Sequence, residues 1–178
     1  MVPVAEVDAT DAQARTPTLV AVCGLPGVGK TTVAERVAER VDGRLLRTDV
    51  VRKDLYPDPE YTEAESRRVY GELFDRARTT LQDGGSVVLD ATFRRERDRE
   101  RARSLAATTD AGFSLVRVEC GEAGVRQRIA EREDDESDAD FEVYATYRER
   151  FDPISVDHVT VDNSGTLEAT YRQVDDRF

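Results

Sequence analysis

Five short apolar runs alternating with amphipathic helices predict an α/β protein, a parallel sheet covered by helices on both faces. Two features place its working edge. The glycine-rich turn Gly24-Leu25-Pro26-Gly27-Val28-Gly29-Lys30-Thr31 joins the first apolar run to the first helix, and the run Ser86 to Asp90 closes in a carboxylate. Ligands of open parallel sheets collect outside the carboxyl ends of the strands, so turn and carboxylate are expected on one rim.

Met1 to Thr16 is polar and acidic without a period, an expected loose tail before one domain over 17–178. Thr18 to Val22 suits a buried strand, and Thr31 to Val41 a helix with Val33, Ala34, Val37, Ala38 and Val41 on one face. A short strand at Arg44 to Thr48 and a brief helix from Val50 to Leu55 follow, until Tyr56-Pro57-Asp58-Pro59 breaks the helix. Thr62-Glu63-Ala64-Glu65 fits a capping box, opening a helix whose inner face is Val69, Leu73, Ala77 and Leu81. Asp83-Gly84-Gly85 ends it, and Ser86 to Asp90 reads as a buried parallel strand. The second half predicts a charged helix (Arg95 to Thr109), a strand (Phe113 to Cys120) and a helix (Glu122 to Arg132). Beyond them come an acidic loop (Glu133 to Asp140), a helix (Phe141 to Phe151), a last strand (His158 to Val161) and a last helix (Thr166 to Val174).

At 178 residues the chain fits one domain with a sizeable core. A net charge of −11 argues against a protein that simply coats nucleic acid. Only Lys30 and Lys53 are lysines, and acids are spread along the whole chain, a pattern like that of halophilic proteins adapted to concentrated salt. Cys23 and Cys120 have no metal-ligand spacing and His158 is the single histidine, so two free thiols and no zinc site are expected. Without a long apolar run or a basic, apolar-cored start, the expectation is a cytoplasmic protein with no membrane contact, as monomer or homodimer.

The glycine-rich turn fits G-x-x-x-x-G-K-[ST]. In that pattern backbone N–H groups wrap phosphates, the lysine reaches the terminal phosphates and the hydroxyl holds Mg²⁺. The helix that follows adds its N-terminal donors and dipole. Asp90, at a strand end on the same rim, suits a role in holding Mg²⁺; the plainer alternative is an acid capping a neighbouring helix. Asp49 and Arg52 are three apart, so on a helix both would face one cleft. A phosphoryl transferase needs an acceptor for the attacking hydroxyl's proton and a cation for anionic substrate, and this pair could supply both. The alternative is Asp49 as a helix N-cap with Arg52 its surface partner.

Gly24 to Thr32, Thr48 to Lys53, Tyr61 to Tyr70, Val87 to Phe93 and Arg126 to Arg132 together resemble the P-loop kinases of the polynucleotide kinase and zeta-toxin type. The resemblance implies a P-loop NTPase sandwich with sheet order 2-3-1-4-5 and a small helical lid over about 126–148. It implies ATP and Mg²⁺ as cofactors, with Gly24, Leu25, Pro26, Gly27, Val28, Gly29, Lys30, Thr31 and Thr32 around the phosphates, and Thr31 and Asp90 at the metal. It further implies Asp49 as general base, Arg52 on the acceptor's anionic group, and lid arginines, Arg128 and Arg132 foremost and then Arg126, on the transferring phosphate.

The expected activity is transfer of the γ-phosphoryl group of ATP to a hydroxyl of a small molecule. A 5′-hydroxyl polynucleotide kinase shares the Asp-x-x-Arg pair, but the stretch Arg94 to Arg103 interleaves acids with arginines. Pairs such as Glu96 with Arg99 are expected to satisfy one another on a solvated face, which disfavours nucleic acid. A nucleotide-dependent regulatory module is the alternative from another class. No N-K-x-D motif marks a Ras-like GTPase, and the chain is short for a hexameric AAA+ motor. Phe141, Tyr144, Tyr147 and Phe151 form an aromatic stripe expected to pack into the core, and the Asn163-Ser164-Gly165 turn would lie near the adenine.

Overall fold

The computed structural model describes residues 15–131 and 141–178. Its parallel sheet has the order β2-β3-β1-β4-β5, formed by β1 (Thr18–Cys23), β2 (Gly43–Arg47), β3 (Ser86–Asp90), β4 (Gly112–Glu119) and β5 (Val159–Asp162). The helices are α1 (Lys30–Val41), α2 (Thr48–Leu55), α3 (Glu63–Gln82), α4 (Glu96–Thr108), α5 (Glu122–Glu131), α6 (Phe141–Glu149) and α7 (Leu167–Asp175).

Strand periodicity sorts the core into two layers. Leu19, Ala21 and Cys23 of β1, with Val87 and Leu89 of β3, face α3 and α4. Val20, Val22 and Val88 face the other way, onto Val33 and Val37 of α1 and Val174 of α7. The three-layer fold and the strand order are those expected.

Several boundaries shift, and one matters. β2 ends at Arg47 and α2 begins at Thr48. Asp49, which falls between the expected strand and the expected helix, therefore sits in the first turn of a helix, where a carboxylate meets the positive end of the dipole. Residues 1–14 of the expected tail lie outside the described residues, as do 132–140 of the expected lid, Arg132 and the acidic run included. Among the described residues, no helix is long and apolar enough to cross a membrane.

The capping box at α3 is half realised. Thr62 Oγ1 accepts from Glu65 N at 3.2 Å, while the Glu65 carboxylate turns to Glu60 N at 3.1 Å. Replacing the cap by Thr62→Ala should cost about 1 kcal/mol of stability in urea unfolding. A loss within a few tenths of zero would mean that tertiary packing alone fixes this helix start.

Candidate active site

The first strand delivers the chain into a loop that only glycine can trace. Gly29 sits at φ 85° as the N-cap of α1. A Cβ there would fall on the Asn163 amide nitrogen and 3.3 Å from Arg128 Nη1. Lys30 lies over the loop, with Nζ donating to Leu25 O at 2.9 Å. Thr31 Oγ1 donates to Asp90 Oδ2 at 2.7 Å, which joins the P-loop helix to the end of β3.

Arg47 was not foreseen. The parallel register sets it opposite Asp90, where its Nε lies 3.4 Å from Asp90 Oδ2 and its Nη2 donates to Thr31 Oγ1 at 3.3 Å. Thr31 and Asp90 offer two oxygens on the phosphate rim. That suits Mg²⁺, which keeps several waters and takes its remaining ligands from substrate phosphates rather than from an all-protein cage. Among the described residues no cluster of three or more His, Cys, Asp or Glu forms such a cage.

A cleft of about 800 Å³ opens along this rim. Pro26, Gly27, Gly29, Lys30, Thr31 and Thr32 line its phosphate end, and Asp49, Arg52, Tyr61, Ser66 and Tyr70 line the other. Burial and the nearby charge of Asp90 raise the Asp49 carboxyl above the ordinary carboxylate range, against the opposing pull of Lys30, Arg47 and Arg52. A carboxylate poised this way is a better proton acceptor than a solvated one. The Arg52 guanidinium lies over the Tyr61 ring at 5.0 Å, reaches Ser66 Oγ at 3.2 Å and lies 3.5 Å from Glu65 Oε2.

Two arginines take backbone carbonyls as partners. Arg128, expected on the transferring phosphate, donates to Val28 O at 3.1 Å and Asn163 O at 2.7 Å. It braces the back of the P-loop together with Asn163, whose Nδ2 donates to the same Val28 carbonyl at 2.9 Å. Arg99, expected to pair with Glu96 on a solvated face, is 4 % exposed and donates to the carbonyls of Phe93, Arg94, Asp152 and Pro153. Arg126 pairs with Glu122 and lies over the Phe141 ring.

The aromatic stripe divides. Phe141 and Tyr144 pack into the layer around α1, whereas Tyr147 reaches the cleft. The cysteines are free, and burial pushes the Cys23 thiol up to about 11, which leaves it inert at neutral pH.

The family described as an AAA domain matches residues 19–154. The chain belongs to that family. An uncharacterized protein of Mycobacterium tuberculosis is 33% identical over 167 residues, which cover 87% of this chain. The chain spans about a third of that relative's length, 33%. A gluconokinase from Sinorhizobium meliloti superposes with a TM-score of 0.68 at 21% identity, covering 90% of each chain. The Mycobacterium tuberculosis APS kinase, solved with AMPPNP and APS, superposes at 0.67 with 20% identity, over 90% of this chain and 96% of that one. The fold is that of P-loop kinases.

Proposed function

We propose that this AAA-domain chain is an ATP-dependent kinase that transfers the γ-phosphoryl group to a hydroxyl of a small molecule. The observation that carries the reading is Asp49. It is a half-buried carboxylate with a raised proton affinity, and it shares one cleft with the P-loop and the Thr31–Asp90 pair. A nucleotide switch needs no such base. The fold shared with a gluconokinase and an APS kinase supports the same conclusion.

In this mechanism the backbone N–H groups of the loop and Lys30 hold the phosphates, and Thr31 and Asp90 would hold Mg²⁺, which would offset phosphate charge. Asp49 takes the proton of the acceptor hydroxyl as its oxygen attacks the γ-phosphorus, and the bond to the β–γ bridging oxygen breaks to leave ADP. Arg52 positions the acceptor. Arg128 and Asn163 keep the P-loop in its phosphate-ready shape by fixing the Val28 carbonyl. A direct role at the transferring phosphate is kept for Arg132, from the resemblance.

The test is transfer of labelled γ-phosphate from Mg·ATP in molar potassium chloride to separate pools of sugars, sugar phosphates, nucleosides and 5′-hydroxyl oligonucleotides. Labelling confined to one small-molecule pool and lost in Asp49→Ala is expected. Tight ATP binding with no pool labelled would leave the regulatory reading instead, and labelling of the oligonucleotides alone would make the enzyme a polynucleotide kinase.

A further inference from the structure

The chain carries 37 acids against 26 bases, yet the walls of its cleft carry more arginine than acid. Several arginines elsewhere are neutralised by neighbouring carboxylates, as Arg36 is by Asp175 at 2.7 Å and Arg76 by Glu72 at 2.7 Å. At the end of the cleft away from the P-loop, two arginines make no ion pair among the described residues. Arg67 of α3 is one of them. Arg94 lines it from the turn after β3, with its guanidinium over the Tyr147 ring at 5.1 Å and one N–H 3.5 Å from Arg150 O. A guanidinium stacked on an aromatic face keeps edge donors in its own plane for a ligand.

The backbone here is held in a shape it would not choose. Phe93 has φ 46°, in the left-handed region that bulky residues avoid. Its ring is fully buried, 5.5 Å from the Tyr70 ring and 6.4 Å from that of Phe74, and its N–H donates to Tyr70 Oη at 3.0 Å. That packing fixes a turn which sets Arg94 on the cleft wall. Strain maintained by its surroundings next to a charged cleft points to a ligand.

Building on the kinase reading, we propose that the acceptor is a small alcohol already bearing a phosphate monoester, which Arg67 and Arg94 grip while its free hydroxyl faces Asp49. The charge selects the class. Arg95 is neutralised by Glu63, Arg52 lies 3.5 Å from Glu65, and Arg97 lies 4.0 Å from Asp98. Arg67 and Arg94 make no ion pair within 4 Å among the described residues, and two such charges match the near-dianionic monoester better than a single carboxylate. The interspersed acids leave no continuous positive path for a polynucleotide strand.

The test is calorimetric titration of inorganic phosphate into the full chain saturated with Mg·AMPPNP, so that the P-loop is already filled. One phosphate should bind per chain, and the Arg67→Gln, Arg94→Gln double variant should weaken it at least about tenfold, since a hydrogen bond to a charged group has that order of effect. Sugar phosphates should displace it and the matching free sugars should not. An unchanged Tm of the double variant shows that it is folded. No binding to the loaded wild type, binding indifferent to both arginines, or displacement by a 5′-hydroxyl oligonucleotide alone would overturn the proposal. Phosphate binding that follows the two arginines, without labelled transfer to any pool, would uphold the anion site and remove the kinase reading.

Discussion

Asp49→Asn should slow phosphoryl transfer ~10²- to 10⁴-fold, leave Mg·ATP affinity near its wild-type value, and raise the melting temperature of the nucleotide-free protein at neutral pH. The first effect follows from removing the proton acceptor while keeping shape and hydrogen-bonding capacity. The rise in stability follows from the direction of the pKa. Burial and Asp90 hold the folded-state pKa of Asp49 above its unfolded value, so between the two values the folded protein binds more protons than the unfolded chain. The stability attached to this group is thus full below the unfolded pKa and is lost as pH rises through the folded one. At neutral pH the ionised carboxylate is a cost, and the amide removes it. Melting curves of the two proteins should converge on acidification below the ordinary carboxylate range. A variant that turns over like the wild type would sink the base assignment. A variant that melts lower at neutral pH would show that Arg47, Arg52 and Lys30 outweigh the burial.

The P-loop, Asp49 and Asp90 could be read from sequence because each depends on residues adjacent in the chain. A glycine pattern, a strand end and a three-residue helical spacing are all local signals. Arg47 carries no such mark. Its partnership with Asp90 exists only because β2 lies beside β3 with Arg47 and Asp90 in register, a fact of strand order rather than of sequence.

Arg99 misled for the opposite reason. Its spacing from Glu96 offered a satisfying local partner, but burial of α4 against the segment at Asp152 and Pro153 presents carbonyls that a guanidinium can fork across. Arg128 also takes long-range partners. The helical face it shares with Arg132 was legible, whereas the Val28 and Asn163 carbonyls that capture it come from the P-loop and from the end of β5. Local pattern found the glycine-rich loop and the two carboxylates of the cleft, and long-range packing decided which partners these arginines took.

The same methyl group should act with opposite sign at two glycines. Gly71→Ala, in the middle of α3, adds a Cβ that meets nothing within 4 Å, so the variant should gain roughly 0.5–1 kcal/mol from the lower entropy of its unfolded chain. Gly29→Ala forces an L-residue into the left-handed region at φ 85° and drives its Cβ into the Asn163 amide. Asn163 cannot give way. It is 5 % exposed, and it is pinned by a 2.7 Å bond from Thr170 Oγ1 and by its own 2.9 Å bond to Val28 O. The strain must therefore pass into the loop, moving the Gly29 and Lys30 amides off the positions from which they would meet phosphate. Left-handed backbone alone costs an alanine roughly 1–2 kcal/mol, and the collision adds to it. Gly29→Ala should accordingly melt below the wild type and lose measurable Mg·AMPPNP binding by calorimetry, while Gly71→Ala melts higher and binds normally. Wild-type binding by Gly29→Ala would mean that the loop tolerates a shift of its own backbone, and that its fixed shape is not what recognises the phosphates.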